Sequence, residues 1–185
     1  MISRTRVYMD VARVRDVVDR MLPLFRKNRL YVTSRPGADD PLHDGTGWMP
    51  EGVTEADYSV LNEPFRGTAI EELLDALPAP YGRVRLMLMP PKSCLSFHWD
   101  DTTRLHYAVT TTPACYMIHR NGESCDLYHV PADGYVYRMD TRLVHNAMNT
   151  SNEPRIHLVI ANLAEPGAPA GKLVADRVHE IPIVP

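Results

Sequence analysis

Cysteine is scarce in this chain. Three residues, Cys94, Cys115 and Cys125, are an odd number without Cys-x-x-Cys spacing, which argues against a disulfide framework and a zinc knuckle. Taking Asn121-Gly122 as a hairpin turn, Cys125 faces Ile118 and Cys115 faces Tyr128, so the register does not pair them and buried free thiols are expected. Long apolar runs are missing as well. No stretch approaches the ~20 apolar residues that span a bilayer. The opening Met1-Ile-Ser-Arg-Thr-Arg has no apolar segment behind it to act as a signal peptide, and a reducing cytoplasm is the expected compartment. Strong charge of either sign is absent: the net charge is -3, so no basic footprint marks a nucleic-acid or membrane partner. No internal repeat is visible.

What is present is ordinary globular material, 185 residues with 44% hydrophobic and 23% charged, enough for a single domain with a real core. Asp10 is placed to cap a helix over about residues 11–22, with an apolar stripe of Val11, Val14, Val17, Val18, Met21 and Leu22, ended by Pro23. Leu30-Tyr-Val-Thr reads as a peripheral strand. Residues 35–56 hold three Pro, four Gly and five acidic residues around Trp48 and Met49; they are either an exposed mobile loop or one that covers a substrate. Thr68 and Glu71 form a capping box for a short helix ending near Leu77. From residue 83 the pattern has period two, with strands near 83–89, 94–99, 104–111, 114–119, 124–130, 135–139, 143–148 and 155–163. Eight short strands behind a helical layer predict a mainly β fold with N-terminal helices, a jelly roll or cupin-like barrel. The tail from Ala164 begins Pro/Ala/Gly-rich and ends Val178-His-Glu-Ile-Pro-Ile-Val; it adds an edge strand or runs irregularly, since Pro182 keeps it out of a sheet centre.

Chemistry concentrates in four places. On an extended segment, His98 and Asp100 share a face about 7 Å apart, two-thirds of a facial metal site. His145, on a late strand, supplies the third member, and such a triad leaves three positions on a non-haem iron for cosubstrate and dioxygen. Arg155 starts the next strand and points inward with His157 and Val159 while Ile156, Leu158 and Ile160 point out. A buried arginine is costly without a carboxylate; a dicarboxylate cosubstrate would satisfy it, and so would a barrel acid. Arg104 and His106 share the inner face opposite Leu105, Tyr107 and Val109, where they bind a second anion or support the metal ligands. With Arg138 and Arg142, they make an anionic or zwitterionic substrate the expectation.

Leu88-Met-Pro-Pro-Lys92, His98-x-Asp100, Arg104-Leu-His106, Gly122-Glu123, Gly134, His145, Asn149-x-Ser151 and Arg155-Ile-His-Leu-Val-Ile160, across residues 60–163, resemble the aspartyl/asparaginyl β-hydroxylase family. Its members are Fe(II)/2-oxoglutarate-dependent dioxygenases with a double-stranded β-helix, and relatives act on free proline. The resemblance implies a single dioxygenase domain over residues 1–185, with a helical layer and loop to residue 80, the double-stranded β-helix over 81–163 and a tail over 164–185. It also implies His98, Asp100 and His145 as iron ligands, Arg155 as the anchor of the 2-oxoglutarate C5 carboxylate, and Arg104 and His106 as cosubstrate or substrate contacts. The implied reaction hydroxylates an unactivated C–H of an amino acid, or of an Asp, Asn or Pro residue in a peptide or protein, and releases succinate and CO2. The chain departs from the family in Pro90-Pro91-Lys92, where Pro-Gly is usual, and in Met87, where some members place a serine. Two other readings are a cupin-like metal-binding module without oxygenase activity and a nucleic-acid demethylase; the latter would carry an arginine where Ala147 stands.

Overall fold

The computed structural model describes residues 2–45, 49–78 and 80–166. Strand β1 (Ile2–Tyr8) and helix α1 (Val11–Met21) come first, then β2 (Arg29–Tyr31), β3 (Thr33–Ser34), β4 (Val60–Leu61) and helix α2 (Ala69–Asp75). The rest is strand: β5 (Tyr81–Met89), β6 (Ser93–Cys94), β7 (Thr102–Thr110), β8 (Cys115–Asn121), β9 (Ser124–Tyr128), β10 (Tyr135–Met139), β11 (His145–Asn149) and β12 (Arg155–Pro166). Antiparallel sheets run in the orders β1-β10-β7-β12-β5-β2 and β6-β11-β8-β9, with a small β3-β4 pair. The two larger sheets face each other as the predicted jelly roll.

Alternation explains both faces of the larger sheet. Ile156, Leu158 and Ile160 of β12, Leu105, Tyr107 and Val109 of β7, and Val84 and Leu86 of β5 are buried together. Val14, Val17 and Val18 of α1 and Ile70, Leu73 and Leu74 of α2 cover them. The main core therefore lies between the helices and the outer face of the barrel, and each of these larger apolar side chains contributes about 1.5–3 kcal/mol on burial. The opposite face looks into the barrel. There Met89, Ala108, Met117, Val130, Met139 and Ala147 form a smaller cluster, and the cavity beside it is lined by polar side chains together with Met87 and Val159.

Local signals account for the helices. Asp10 accepts from the backbone N–H of Ala12 at 2.8 Å and of Arg13 at 3.2 Å, satisfying donors that the first turn cannot. Thr68 caps α2 through the Ile70 N–H. The expected capping box is incomplete, because Glu71 accepts from the Gly67 N–H at 2.5 Å instead of the Thr68 N–H; a reciprocal box stands at Thr54 and Asp57.

Several expectations need correction. The strand read over 94–99 is regular only as Ser93–Cys94; Leu95 and Phe97 are exposed, so their apolar character does not report a buried face. The hairpin turn is Gly122-Glu123, with Gly122 at φ +63° and Asn121 paired to Ser124. Cys125 thus faces Arg120, and Tyr128 faces Met117. All three cysteines are free, but only Cys115 is buried. Strand β1, at the sheet edge, shows no clean alternation in Ser3-Arg-Thr-Arg6 and was not foreseen. The described parts of residues 35–56 are anchored: Asp44 grips Arg35 at 2.6 Å, and Glu55 is buried. Trp48 and the chain beyond residue 166, including the expected edge strand, lie outside the described residues.

Candidate metal centre

A cavity of about 920 Å³ opens between the sheets and is lined by His98, Asp100 and His145 together with Arg85, Arg104, His106 and Arg155. The three expected metal ligands come together: one ligand atom from each lies within 4.8 Å of the others. Backbone pairing sets this. His98 and His145 exchange N–H···O bonds of 2.9 and 2.8 Å in an isolated antiparallel bridge, and the Asp100 N–H donates to the Thr141 carbonyl at 2.8 Å. The two imidazoles are consequently 4.3 Å apart between ring centroids.

The donor set fits a divalent metal. His98 Nδ1 sits 2.8 Å from the Ser96 carbonyl and His145 Nδ1 3.0 Å from the Leu143 carbonyl. A carbonyl only accepts, so both rings carry a proton on Nδ1, which leaves Nε2 as the ligating atom. Burial pushes His145 down to about 4, against the pull of Asp100, so it is neutral at pH 7. Burial alone would raise the Asp100 carboxyl, but the Arg104 guanidinium beside it holds it well below the usual carboxylate range. Two imidazoles and one carboxylate match the composition of a 2-His-1-carboxylate set.

Arg104 is fully engaged. Its Nε donates to Asp100 Oδ2 at 3.1 Å, Nη1 to Thr102 at 2.8 Å and Nη2 to Glu55 at 2.6 Å. Of the two roles open to it from sequence, support of a metal ligand is the one this geometry favours. Glu55 also receives Arg83 at 2.6 and 2.8 Å. Sequence reading missed this residue, one acid among five in an aperiodic loop. Its approach depends on Gly82, where a Cβ would lie 2.1 Å from the Glu55 carbonyl oxygen.

Arg155 and His106 differ from Arg104 in having no acid. Arg155 is buried, donates to His157 Nε2 at 3.1 Å and Met117 Sδ at 3.0 Å, and meets no carboxylate among the described residues. Burial brings its pKa down to about 10. The barrel-acid alternative for this arginine is therefore not the one the structure contains. Both ring nitrogens of His106 are buried without a partner, and burial, with Arg155 beside it, pushes the ring to about 3.

Arg138 and Arg142 are not brought to the cavity. Arg138 faces Leu105 in the register of β10 on β7, on the helix-covered side, and pairs with Glu165; Arg142 pairs with Asp140 at 2.7 Å. The turn at Pro91-Lys92 survives the loss of glycine: Lys92 takes φ +54° and its Nζ donates to the Thr150 carbonyl at 2.5 Å.

A family description, Aspartyl/Asparaginyl beta-hydroxylase, matches residues 65–164, more than half of the chain. The chain belongs to the aspartyl/asparaginyl β-hydroxylase family. The matched span begins ten residues after Glu55, so Glu55 reaches the site from outside it. No curated protein sequence matches the chain. Among solved structures, AviO1 from Streptomyces viridochromogenes Tue57 shares 17% identity over 91% of this chain and 92% of that one, with a TM-score of 0.51, a likeness of fold. Looser overlaps are with a 2OG-Fe(II) oxygenase family oxidoreductase from Burkholderia pseudomallei (18% identity, 54% and 51% of the two chains, TM-score 0.39) and a cupin domain from Bordetella pertussis Tohama I (16%, 47% and 86%, TM-score 0.38).

Proposed function

We propose that this family member is an Fe(II)/2-oxoglutarate-dependent dioxygenase that hydroxylates an unactivated C–H of an amino acid, or of an Asp, Asn or Pro residue in a peptide, with release of succinate and CO2. The observation that carries the reading is a buried guanidinium without an acid, Arg155, in the same cavity as two Nε2 lone pairs and an ionised carboxylate. A metal module without oxygenase activity needs no dicarboxylate anchor. Such a module would bear the cost of an unpaired buried cation for nothing.

In this reading His98 Nε2, Asp100 and His145 Nε2 hold the metal, and Arg155 holds the C5 carboxylate of 2-oxoglutarate through its planar fork. When bound, Fe(II) supplies the redox chemistry that couples dioxygen to decarboxylation of the cosubstrate. The protein does the rest. Arg104 keeps Asp100 ionised and fixes its direction. The Ser96 and Leu143 carbonyls hold the two imidazoles in the ligating tautomer. His106, a neutral ring whose nitrogens are unpaired among the described residues, offers its N–H as a donor to an oxygen of the bound diacid. The walls formed by Met87, Met89, Met117 and Val159 keep bulk water from the reacting groups.

The test is succinate release from 2-oxoglutarate by the Fe(II)-loaded protein, run with free amino acids and with Asp-, Asn- and Pro-containing peptides. Iron-dependent succinate above the no-substrate rate is the expected result. Metal binding without succinate from any of these would identify an inert metal module.

A further inference from the structure

A second arginine in the cavity, Arg85, has no hydrogen-bond partner among the described residues. Arg85 lies on the inner face of β5, opposite Val159 of β12, which is itself opposite His106 of β7. All three line the cavity. Arg85 Nε is buried without a hydrogen bond, and no carboxylate reaches its guanidinium among the described residues. The nearby acid does not hydrogen-bond it: Glu55 gives Oε1 to both Arg83 and Arg104, at 2.6 Å each, and Oε2 to Arg83, and it attracts Arg85 only at a distance. The residue is half-buried and lines the cavity.

The balance of charge points to an anion. Four inner guanidinium groups, Arg83, Arg85, Arg104 and Arg155, face two carboxylates, Glu55 and Asp100. Fe(II) and 2-oxoglutarate cancel one another's formal charge, so loading the site as proposed above leaves the positive excess unchanged. Arg155 can be satisfied by the cosubstrate; Arg85 cannot be satisfied by the same carboxylate without abandoning Arg155. Lys27 and Arg29, at the cavity rim and likewise without an ion pair among the described residues, extend the positive lining outward from Arg85. A low-dielectric cleft lined by one sign draws the opposite charge.

We infer that Arg85 is the anchor for a carboxylate of the substrate, held beside the cosubstrate and guided inward by Arg29 and Lys27. The inference rests on the oxygenase reading for the word substrate, but the anion site itself does not. A guanidinium fork selects a planar two-oxygen group. Two sources present one: the α-carboxylate of a free or N-capped amino acid, and an Asp or Glu side chain within a peptide.

The experiment uses the full chain loaded with Mn(II), which binds the same ligands without turnover. Isothermal titration first measures 2-oxoglutarate, then, at saturating 2-oxoglutarate, two matched series: N-acetyl amino acids against their amides, and capped aspartyl or glutamyl tripeptides against their Asn or Gln counterparts. In one series the acid is expected to bind at least about tenfold tighter than its neutral twin, the loss that goes with one charge-assisted pair; which series shows it names the source. Arg85→Leu removes the preference, Arg85→Lys retains part of it, and both keep 2-oxoglutarate affinity within about threefold. Equal binding of acids and neutral twins, or no binding of either, overturns the proposal. So does a preference that survives Arg85→Leu, or a loss of 2-oxoglutarate binding in Arg85→Leu as large as in Arg155→Leu. If the wild type binds no 2-oxoglutarate, the oxygenase reading fails, and the same comparison in the Mn(II) protein alone decides Arg85.

Discussion

Glu55→Gln is the perturbation that separates this site from a generic cupin. Glu55 lies almost wholly inside the protein, 5% exposed, between Arg83 and Arg104. Burial alone would raise its carboxyl, but Arg104 and Arg83 hold it below the ordinary value. A glutamine keeps the shape and one acceptor, yet turns an amide N–H₂ toward a cation and leaves two guanidinium groups facing each other beside Arg85. Removing one partner of a buried pair costs about 3–5 kcal/mol, and the retained acceptor places the expected loss near the lower end. For a chain of this size that is a fall in Tm of roughly 6–12 °C. Because the folded carboxyl is depressed, its contribution is complete above the unfolded value of about 4.3 and fades as pH falls through the folded one. The gap between wild type and Glu55→Gln is therefore full at pH 7 and narrows only in acid. The second consequence is chemical. Arg104 holds Asp100 from one side and Glu55 from the other, so loosening Glu55 loosens the carboxylate ligand, and Mn(II) affinity should fall about 10–100-fold. Calorimetry at pH 7 and pH 4, with Mn(II) titration of the folded variant, reads both. An unchanged Tm at pH 7 refutes the buried triad. A lowered Tm with unchanged Mn(II) affinity refutes the link from Glu55 through Arg104 to the metal.

His98→Ala and His145→Ala should each abolish tight Mn(II) binding, measured by titration, while circular dichroism stays native, since neither side chain belongs to the apolar core. Arg155→Leu should raise the 2-oxoglutarate Kd of the Mn(II) protein about 100-fold and leave Mn(II) affinity unchanged; equal loss of both would place Arg155 in the scaffold instead. Arg85→Leu should stabilise the ligand-free protein by about 1–3 kcal/mol. Burial, with Arg83 and Arg104 beside it, lowers Arg85 to about 10, so the cost of holding it charged is full at neutral pH and fades only as pH rises through that value. A destabilised Arg85→Leu in thermal melts at pH 7 would mean that Arg85 has a partner in the fold.

Much of this was legible because a strand reports both faces at once. The run Arg155-Ile-His-Leu-Val-Ile placed three residues in the outer core and three on the inner face, where Arg155 and Val159 line the cavity; Arg104-Leu-His-Tyr-Ala-Val divides likewise, with Arg104 and His106 at the cavity. Arg-Val-Arg-Leu on β5 has the same alternation, but it was not read as part of the site, and Arg83 and Arg85 were missed with it. The parity that buries Val136 under α1 also takes Arg138 away from the site. Glu55 was out of reach for a different reason. Its position depends on a contact between an aperiodic loop and Gly82, and no local pattern reports which of five loop acids makes it. The segment after Cys94 misled because Leu95 and Phe97 are apolar yet exposed; its two ligands are fixed by single backbone bridges to His145 and Thr141, not by a regular strand.

The central claim is that one cavity holds iron and 2-oxoglutarate together. Anaerobic addition of 2-oxoglutarate to the Fe(II)-loaded protein tests it without any knowledge of the substrate. Wild type should develop a visible metal-to-ligand charge-transfer absorption that saturates at one equivalent per chain, and Arg155→Leu should need far more cosubstrate to reach it. Fe(II) bound at His98, Asp100 and His145 with no such absorption at saturating 2-oxoglutarate would contradict the assignment.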